Sequence, residues 1–286
     1  MSRSPLEIPT LEDDGLLTPE VGDWAEDKYR LVKLYANLFT TSMRRKWEEL
    51  IYIDLFAGAG RAKIRGAERI VPASPLLALS VDPRFDRHIF CEADPKRMMA
   101  LQERVRRDFL EADARFVPGD VNQNVPAISA ELPQVRRGRR VLRFCFVDPY
   151  SLRNLRFDTI SSLAEWFVDF LVLIPSGYDA TRNEGIYLSP ENRTIDRFLG
   201  RAGWREEWAT ARAAGKAFDQ FMTDTFAESM KTLGYRYEGF HYSHLVRSTE
   251  KKLRLYRLVL FSRHELGEKF WKQAQKSATP QRSLFD

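Results

Sequence analysis

The sequence predicts an α/β fold: a mostly parallel sheet with helices on both faces and an antiparallel hairpin at its C-terminal end. The first observation behind this prediction is a series of short apolar, β-prone runs separated by segments of helical periodicity. The second is that four of these runs end in an acidic residue, where a turn follows. The third is a pair of alternating segments, residues 235–247 and 253–263, which predicts the hairpin with its turn at 248–252.

Composition limits the classes of protein to which the chain can belong. At 286 residues, it is long enough for one large α/β domain that buries a sizeable core. No apolar run approaches the roughly 20 residues of a membrane-spanning helix, and the N-terminus lacks the apolar core of a secretory signal. Cys91 and Cys145 both lie in apolar runs, which predicts buried thiols, no metal site and a reducing cytoplasm.

The predicted organisation has three parts. Residues 1–22 are rich in Pro, Asp, Glu and Gly without periodicity, and we expect them to form an extended N-terminal arm. Residues 23–272 form the main domain, with a helical insertion at about 176–233. Residues 273–286 are polar and are expected to be a loose tail.

Two helices are predicted around the first strand. Apolar residues recur every three or four positions from Trp24 to about Leu50, which predicts a surface helix covering the sheet edge. Lys28, Tyr29 and Lys33 lie on or near this helix, and a lysine here could alternatively reach the mouth of the cofactor site. After the strand, a polar, glycine-containing stretch of about ten residues is expected to form a lid. The second helix then begins with Ser74 as its N-cap and Pro75 as its first residue.

The first predicted strand, residues 51–56, leads into a glycine turn. Glycine lets the backbone turn sharply and lets a ligand approach it closely. Lys63 stands where a dinucleotide fingerprint has its third glycine, and no Gly-Lys-Ser/Thr follows, so neither that fingerprint nor a phosphate loop is present. The pattern Asp-x-Phe-Ala-Gly-x-Gly instead resembles motif I of the class I S-adenosylmethionine-dependent methyltransferases. Its residues are Asp54, Phe56, Ala57, Gly58 and Gly60.

The resemblance implies that the Asp54 carboxylate lies near the positively charged amino-acid end of S-adenosylmethionine, and that the turn accommodates the body of the cofactor. A plain tight turn in an α/β protein is the alternative. Acidic residues at the ends of three further strands decide between them: Glu92 before Ala93, Asp120 before Val121, and Asp148. Because the carboxyl ends of parallel strands meet at one edge of a sheet, we expect the four carboxylates to converge on one pocket.

Each of these acids has an expected role at that edge. Glu92, with Ala93 beside it, is placed to accept both ribose hydroxyls of an adenosine ligand. Asp120, with Val121 beside it, could accept the adenine amino group. These residues complete the predicted cofactor site.

Asp148-Pro149-Tyr150 resembles motif IV of amino-methyltransferases, most of which act on adenine N6. The resemblance implies that Asp148 and the Pro149 carbonyl accept the hydrogens of an exocyclic amine, while Tyr150 stacks on the extruded base. This chain departs from the motif, since it has one proline and Ser151 follows Tyr150. Asp148 could alternatively cap the strand end and orient the glycine turn.

A net charge of +5 and a pI of about 9.2 make the chain mildly basic. Nucleic-acid contact and solvated helix faces or loops both explain its clusters of basic residues. The clusters are Arg104, Arg106 and Arg107; Arg136, Arg137, Arg139 and Arg140; and Lys251, Lys252 and Arg254.

Taken in order, these motifs resemble the three-Cys-motif partner protein family. The likeness spans roughly residues 24–272 and rests on 54–60, 73–76, 90–94 and 146–150. It implies a Rossmann-like class I methyltransferase sheet and a partner carrying three cysteines, of a type associated with iron–sulfur clusters. More distantly, the same features resemble the 23S rRNA adenine-N6 methyltransferases.

Three functions follow as alternatives. The first is methylation of a nucleic acid base amine with S-adenosylmethionine, supported by the strand-end carboxylates, motif IV and the arginine clusters. The second is a non-catalytic, methyltransferase-like partner of a three-cysteine protein, favoured by the altered motif IV. The third is methylation of a protein or a small molecule, since the cofactor motifs do not contact the acceptor.

Overall fold

The computed structural model describes residues 7–133, 140–248 and 253–278. Within these residues the strands form a seven-stranded sheet and a three-stranded sheet. The strands are β1 (Glu20–Val21), β2 (Glu49–Asp54), β3 (Arg61–Ile64), β4 (Arg69–Pro72), β5 (Arg87–Glu92), β6 (Ala114–Pro118), β7 (Val141–Val147), β8 (Val168–Ile174), β9 (His244–Arg247) and β10 (Arg254–Phe261).

The large sheet has the order β6-β5-β2-β7-β8-β10-β9. The first five of these strands are parallel, whereas β10 is antiparallel to both β8 and β9. Numbered along the chain, the order is 3-2-1-4-5-7-6, which is the doubly wound sheet of class I methyltransferases with its one reversed strand. The predicted fold class is therefore confirmed.

Helices cover both faces of this sheet. They are α1 (Ala25–Met43), α2 (Ser74–Leu79), α3 (Pro95–Asp108), α4 (Val125–Glu131), α5 (Phe157–Ala164), α6 (Glu184–Leu188), α7 (Thr194–Leu199), α8 (Trp204–Ala213), α9 (Phe218–Thr232) and α10 (Glu265–Ala278). Short 3₁₀ turns lie at Leu152–Asn154 and Phe240–Tyr242, and a π-helical turn, Ser176–Thr181, follows β8. Helices α4 to α9 pack on one face, and α1, α2, α3 and α10 pack on the other.

The alternation of side chains along β2 divides the core between these two faces. Ile51 and Ile53 join the core under α4 to α9, while Leu50 and Tyr52 join the core under α1, α2, α3 and α10. Every residue of β2 is buried, as expected for a central parallel strand covered on both sides. The carboxyl end of β2 is therefore held rigidly, and the residues after it are placed by the sheet.

The first helix is shorter than predicted. It ends at Met43, and Leu50 belongs to β2, where it pairs with Leu142 of β7. The apolar periodicity continued past the end of α1 because α1 and β2 both contribute buried side chains, including Leu50, to the same core.

The stretch after the glycine turn is a hairpin rather than the predicted loop. β3 and β4 pair antiparallel, and alternation along β3 buries Ala62 and Ile64. β1 adds to β3 in parallel, with Glu20 opposite Lys63. Of the predicted N-terminal arm, residues 7–21 lie against this hairpin, and Ile8 is buried there.

Two boundaries near the C-terminus also differ. Of residues 235–247, only His244–Arg247 form a strand, because a 3₁₀ turn at Phe240–Tyr242 interrupts the alternation. Residues 273–278, predicted to be loose, continue α10, and Ala274 and Ala278 are buried against the core. Residues 249–252 of the predicted turn at 248–252, and residues 279–286, lie outside the described residues. Across the described ranges, no helix combines the length and apolar character needed to cross a bilayer.

Candidate cofactor and acceptor site

The glycine turn after β2 has one face open to a ligand. Gly58 has φ of 64° and Gly60 has φ of 82°, a backbone region that favours glycine. A Cβ at Gly60 would lie 2.9 Å from Leu101 Cδ1, so this glycine is required by packing. A Cβ at Gly58 would meet no heavy atom within 4 Å beyond its chain neighbours. The space over Gly58 is therefore free for a bound molecule.

Asp54, the last residue of β2, is fully buried beside this turn. Its carboxylate accepts hydrogen bonds from Tyr52 Oη at 3.1 Å, from the Phe56 amide at 3.2 Å and from the Ser74 hydroxyl. Ser74 is therefore not the predicted N-cap of α2, whose capping position is Ala73. Burial raises the pKa of Asp54 to about 7, and the nearby carboxylate of Asp148 adds to the rise.

Glu92, the last residue of β5, connects the glycine turn after β2 to the turn that follows β5. Its Oε2 accepts a 2.7 Å hydrogen bond from the Gly58 amide, and its Oε1 accepts a 2.8 Å bond from the Asp94 amide. Each carboxylate oxygen has a second lone pair, so both can still accept a hydroxyl. Ala93, next to it, is exposed at the same edge, whereas the Ala57 side chain is buried and Phe56 is partly buried.

Asp120 and Val121 differ in their surroundings. Asp120 lies two residues beyond β6 and is exposed, and its Oδ1 accepts bonds from Asn122 N at 2.7 Å and Asn122 Nδ2 at 2.9 Å. Val121 packs into the core under α4 to α9, so its side chain contributes to packing. The local turn leaves the second oxygen of Asp120 at the surface of the carboxyl edge.

The four strand-end carboxylates lie at one edge of the sheet. Burial raises the pKa of the Cys91 thiol to about 12, and the carboxylates of Glu92, Asp120 and Asp54 contribute to the rise. Asp148 in turn acts on Asp54. Glu92, Asp120 and Asp54 therefore lie near Cys91, and Asp148 lies near Asp54.

Asp148, directly after β7, forms an ion pair that links it to α1. Lys28 Nζ lies 2.5 Å from Asp148 Oδ2, and the two side chains are 9% and 19% exposed. Burial lowers the pKa of Lys28, but the Asp148 carboxylate outweighs it, and the net pKa lies above the usual lysine range. Lys28 thus stays charged and leaves Oδ1 of Asp148 available to another donor.

The residues after Asp148 form a loop on which the Tyr150 side chain is exposed to solvent. Pro149 is buried, whereas the Tyr150 side chain is 95% exposed. Ser151 and Asn154 cap the following 3₁₀ turn reciprocally, and the Leu152 amide donates a 2.8 Å bond to Asp179 Oδ2. The loop that presents Tyr150 is therefore fixed by hydrogen bonds rather than by packing of the ring.

Arg104 was grouped with exposed arginines in the sequence but is buried beside the glycine turn. Its side chain is 0% exposed, and its guanidinium donates to both carboxylate oxygens of Asp14 at 2.9 and 2.7 Å. It also donates to Ala59 O at 2.6 Å, between the two glycines of the turn. Further bonds to Leu17 O and Thr18 Oγ1 complete its contacts with the arm. Arg104 therefore joins the N-terminal arm to the glycine turn.

The first basic cluster, on α3, is held largely by acidic residues of the same chain. Arg104 is buried, while Arg106 pairs with Glu103 and Arg107 with Asp108 and Asp14. Hydrogen bonds and charge from Arg104 hold the pKa of Asp14 well below its usual range. Of the other two clusters, only Arg140 and Arg254 lie within the described residues. The first cluster is thus mostly an intramolecular network.

Comparison with known proteins gives similarity of structure alone. No family model matches the chain, and no curated protein matches it. A protein of family model DUF519 from Legionella pneumophila is 11% identical, with 87% of this chain and 91% of that chain covered and a TM-score of 0.47. A precorrin-6y C5,15-methyltransferase from Geobacter metallireducens is 12% identical, with 90% and 100% covered and a TM-score of 0.43.

A third structure, an S-adenosylmethionine-dependent methyltransferase from Clostridium acetobutylicum, is 13% identical, with 51% of each chain covered and a TM-score of 0.31. At such identities a shared fold does not establish a shared activity. The case for an activity therefore rests on the site.

Proposed function

We propose that the protein is an S-adenosylmethionine-dependent methyltransferase. The observation that carries the proposal is the open space over Gly58, flanked by the buried Asp54 and by Glu92 on the Gly58 amide. At Gly58 the space is unfilled, whereas at Gly60 a Cβ would lie 2.9 Å from Leu101 Cδ1. The carboxyl edge of a doubly wound sheet is also where such folds bind ligands.

The residues at this edge fit the cofactor group by group. Asp54 would face the ammonium of the amino-acid portion, and the free lone pairs of Glu92 would accept the ribose hydroxyls. Exposed Asp120 would accept from the adenine amino group, with Ala93 beside it. When bound, S-adenosylmethionine supplies an electrophilic methyl group on its sulfonium.

We further propose a nucleic acid base amine as the acceptor. Oδ1 of Asp148 and the Pro149 carbonyl would accept the two amine hydrogens, which directs the nitrogen lone pair toward the methyl group. Lys28 holds Asp148 in place through Oδ2. Tyr150, exposed beside them, offers its ring to an extruded base.

The pKa of Asp54 gives a test of the cofactor site. Because this pKa is about 7, Asp54 is protonated in most of the molecules at pH 6. A ligand that carries an ammonium group must displace the proton from this carboxyl group. Affinity for S-adenosylhomocysteine is therefore expected to rise about eightfold from about pH 6 to pH 7.5. Calorimetry in two buffers of different protonation enthalpy would measure both the affinity and the released proton.

Asp54→Asn is the matched control, because it keeps the shape of the side chain without the titration. We expect this variant to bind more weakly and with an affinity that is flat over the same pH range. Absence of binding to the wild-type protein at every pH would refute the proposed function. A pH dependence that survives in Asp54→Asn would instead refute the role of Asp54.

The Lys28–Asp148 ion pair favours a second candidate function. Asp148, the acid of the motif IV segment, is bound by Lys28, and such an acid could serve structure in a non-catalytic subunit instead of catalysis. We propose, on the family resemblance, a partner that carries three cysteines. The two cysteines of this chain are both buried, and residues 7–133, 140–248 and 253–278 contain no group of three metal-ligating side chains. An iron–sulfur cluster would belong to the partner, and buried thiols suit a reducing cytoplasm. Co-purification without methyl transfer to DNA or RNA would favour this function.

A further inference from the structure

A second cavity lies at the same edge of the sheet, on the acceptor side. It measures about 500 Å³ and lies between the π-helical turn Ser176–Thr181, the start of α9 and the start of β10. Because β8 runs parallel to β7 and β10 runs antiparallel to β8, this cavity is at the carboxyl end of β8, next to the strand that carries Asp148. Its lining residues are Gly177, Thr181, Arg182, Ala217, Phe218, Asp219, Leu253 and Arg254.

The cavity combines positive charge with apolar surface. Arg182 and Arg254 are both exposed side chains at its opening. The acid in the lining, Asp219, is engaged by the buried Arg257, with Arg257 Nη2 3.3 Å from Asp219 Oδ2. Phe218 and Leu253 supply apolar walls. An anion attached to a flat or apolar body matches this lining better than a neutral or cationic ligand does.

Hydrogen bonds connect the cavity to the loop that presents Tyr150. Asp179, in the π-helical turn that borders the cavity, accepts from the Leu152 amide at 2.8 Å and from Tyr187 Oη at 2.8 Å. Arg153 is exposed on the same loop, and its charge acts on the pKa of Tyr187. The cavity, Arg153 and Tyr150 therefore belong to one continuous, rigidly held part of the acceptor edge.

We infer that this edge binds single-stranded nucleic acid, with phosphates at Arg182 and Arg254 and a base stacked on Tyr150. Arginine is suited to phosphate, and exposed aromatic rings interleaved with arginines are the usual platform for unpaired bases. The inference rests on the proposed function and adds to it the surface that binds the acceptor. Cofactor binding, the other part of the proposed function, can be tested separately. The two arginines that carry it are far apart in sequence: Arg254 belongs to the cluster with Lys251 and Lys252, whereas Arg182 belongs to none of the predicted clusters.

Fluorescence anisotropy with labelled single-stranded RNA and DNA of mixed sequence, with the full chain, tests the inference. Tyr150→Ala is expected to raise Kd about 5- to 150-fold, since stacking is lost. Arg182→Gln combined with Arg254→Gln is expected to reduce the slope of log K against log salt by about 2, one for each phosphate contact. Arg106→Gln, which alters a 72% exposed arginine on α3, is the control and should change neither quantity.

Three outcomes decide whether this edge binds single-stranded nucleic acid. Loss of oligonucleotide binding in the arginine and tyrosine variants, with unchanged affinity for S-adenosylhomocysteine, supports the inference. Binding equal to that of the wild type in those variants, or no binding by the wild type, overturns it whether or not the cofactor binds. Equal loss in Arg106→Gln also overturns it, because the effect would then reflect overall charge.

Discussion

Replacing Arg104 by methionine is expected to lower the free energy of unfolding by about 3 to 5 kcal/mol, since one partner of a buried ion pair is lost. Arg104 is fully buried and Asp14 nearly so, which leaves the Asp14 carboxylate without its main donor. The carbonyls of Ala59 and Leu17 also lose a donor. Methionine fills much of the same volume, so a cavity contributes little to the loss.

Arg106→Met is the matched control for this prediction. Arg106 lies on the same helix, is 72% exposed and pairs only with Glu103, so its replacement should cost less than about 1 kcal/mol. Urea unfolding of the two variants gives the comparison directly. A weaker affinity of Arg104→Met for S-adenosylhomocysteine, measured where it remains folded, would connect the arm to the glycine turn. Equal stability of both variants would contradict the structural role of Arg104.

Replacing Asp148 by alanine is expected to reduce methyl transfer about 10²- to 10⁴-fold while leaving cofactor affinity nearly unchanged. Oδ1 of Asp148 is the proposed acceptor for the amine, whereas the proposed cofactor contacts are those of Asp54 and Glu92. Transfer of the tritiated methyl group from S-adenosylmethionine to total RNA and DNA measures the activity. Calorimetry measures the cofactor affinity. Full activity of Asp148→Ala would remove this residue from the reaction.

Two further variants separate charge from position at this site. Asp148→Asn keeps an acceptor oxygen and should retain more activity than Asp148→Ala. Lys28→Met leaves the carboxylate mostly buried and unpaired, and is expected to lower stability by a few kcal/mol. Combining Lys28→Met with Asp148→Asn should restore part of that stability, because no buried charge remains alone.

The central strands and their acidic ends could be predicted because they depend on local signals. A run such as residues 51–56 has the composition of a buried strand, and glycine after it needs only the turn conformation. The topology then places Asp54, Glu92 and Asp148 at one edge without any knowledge of their contacts. What the local pattern left undetermined is which hydrogen bonds each carboxylate makes.

The contacts missed from the sequence join distant residues. Lys28 and Asp148 are 120 positions apart, and no periodicity specifies their pairing. Arg104 was grouped with neighbouring arginines, although it follows Leu101 by three positions and precedes Val105, both buried in α3. That helical spacing was the available signal of burial. The β3–β4 hairpin was missed because charged residues interrupt its apolar ones, as Arg61 and Lys63 do beside the buried Ala62 and Ile64 on β3.

The position of the arm has a consequence for biosynthesis. The segment around Asp14 leaves the ribosome early, but its guanidinium partner is encoded 90 codons later. Until α3 has emerged, that carboxylate can pair with Arg61 but not with Arg104, and the Ala59 carbonyl in the glycine turn lacks its guanidinium donor. Long sequence separation slows such closure. The arm can therefore be fastened to the glycine turn through Arg104 only after about the first third of the polypeptide has left the exit tunnel.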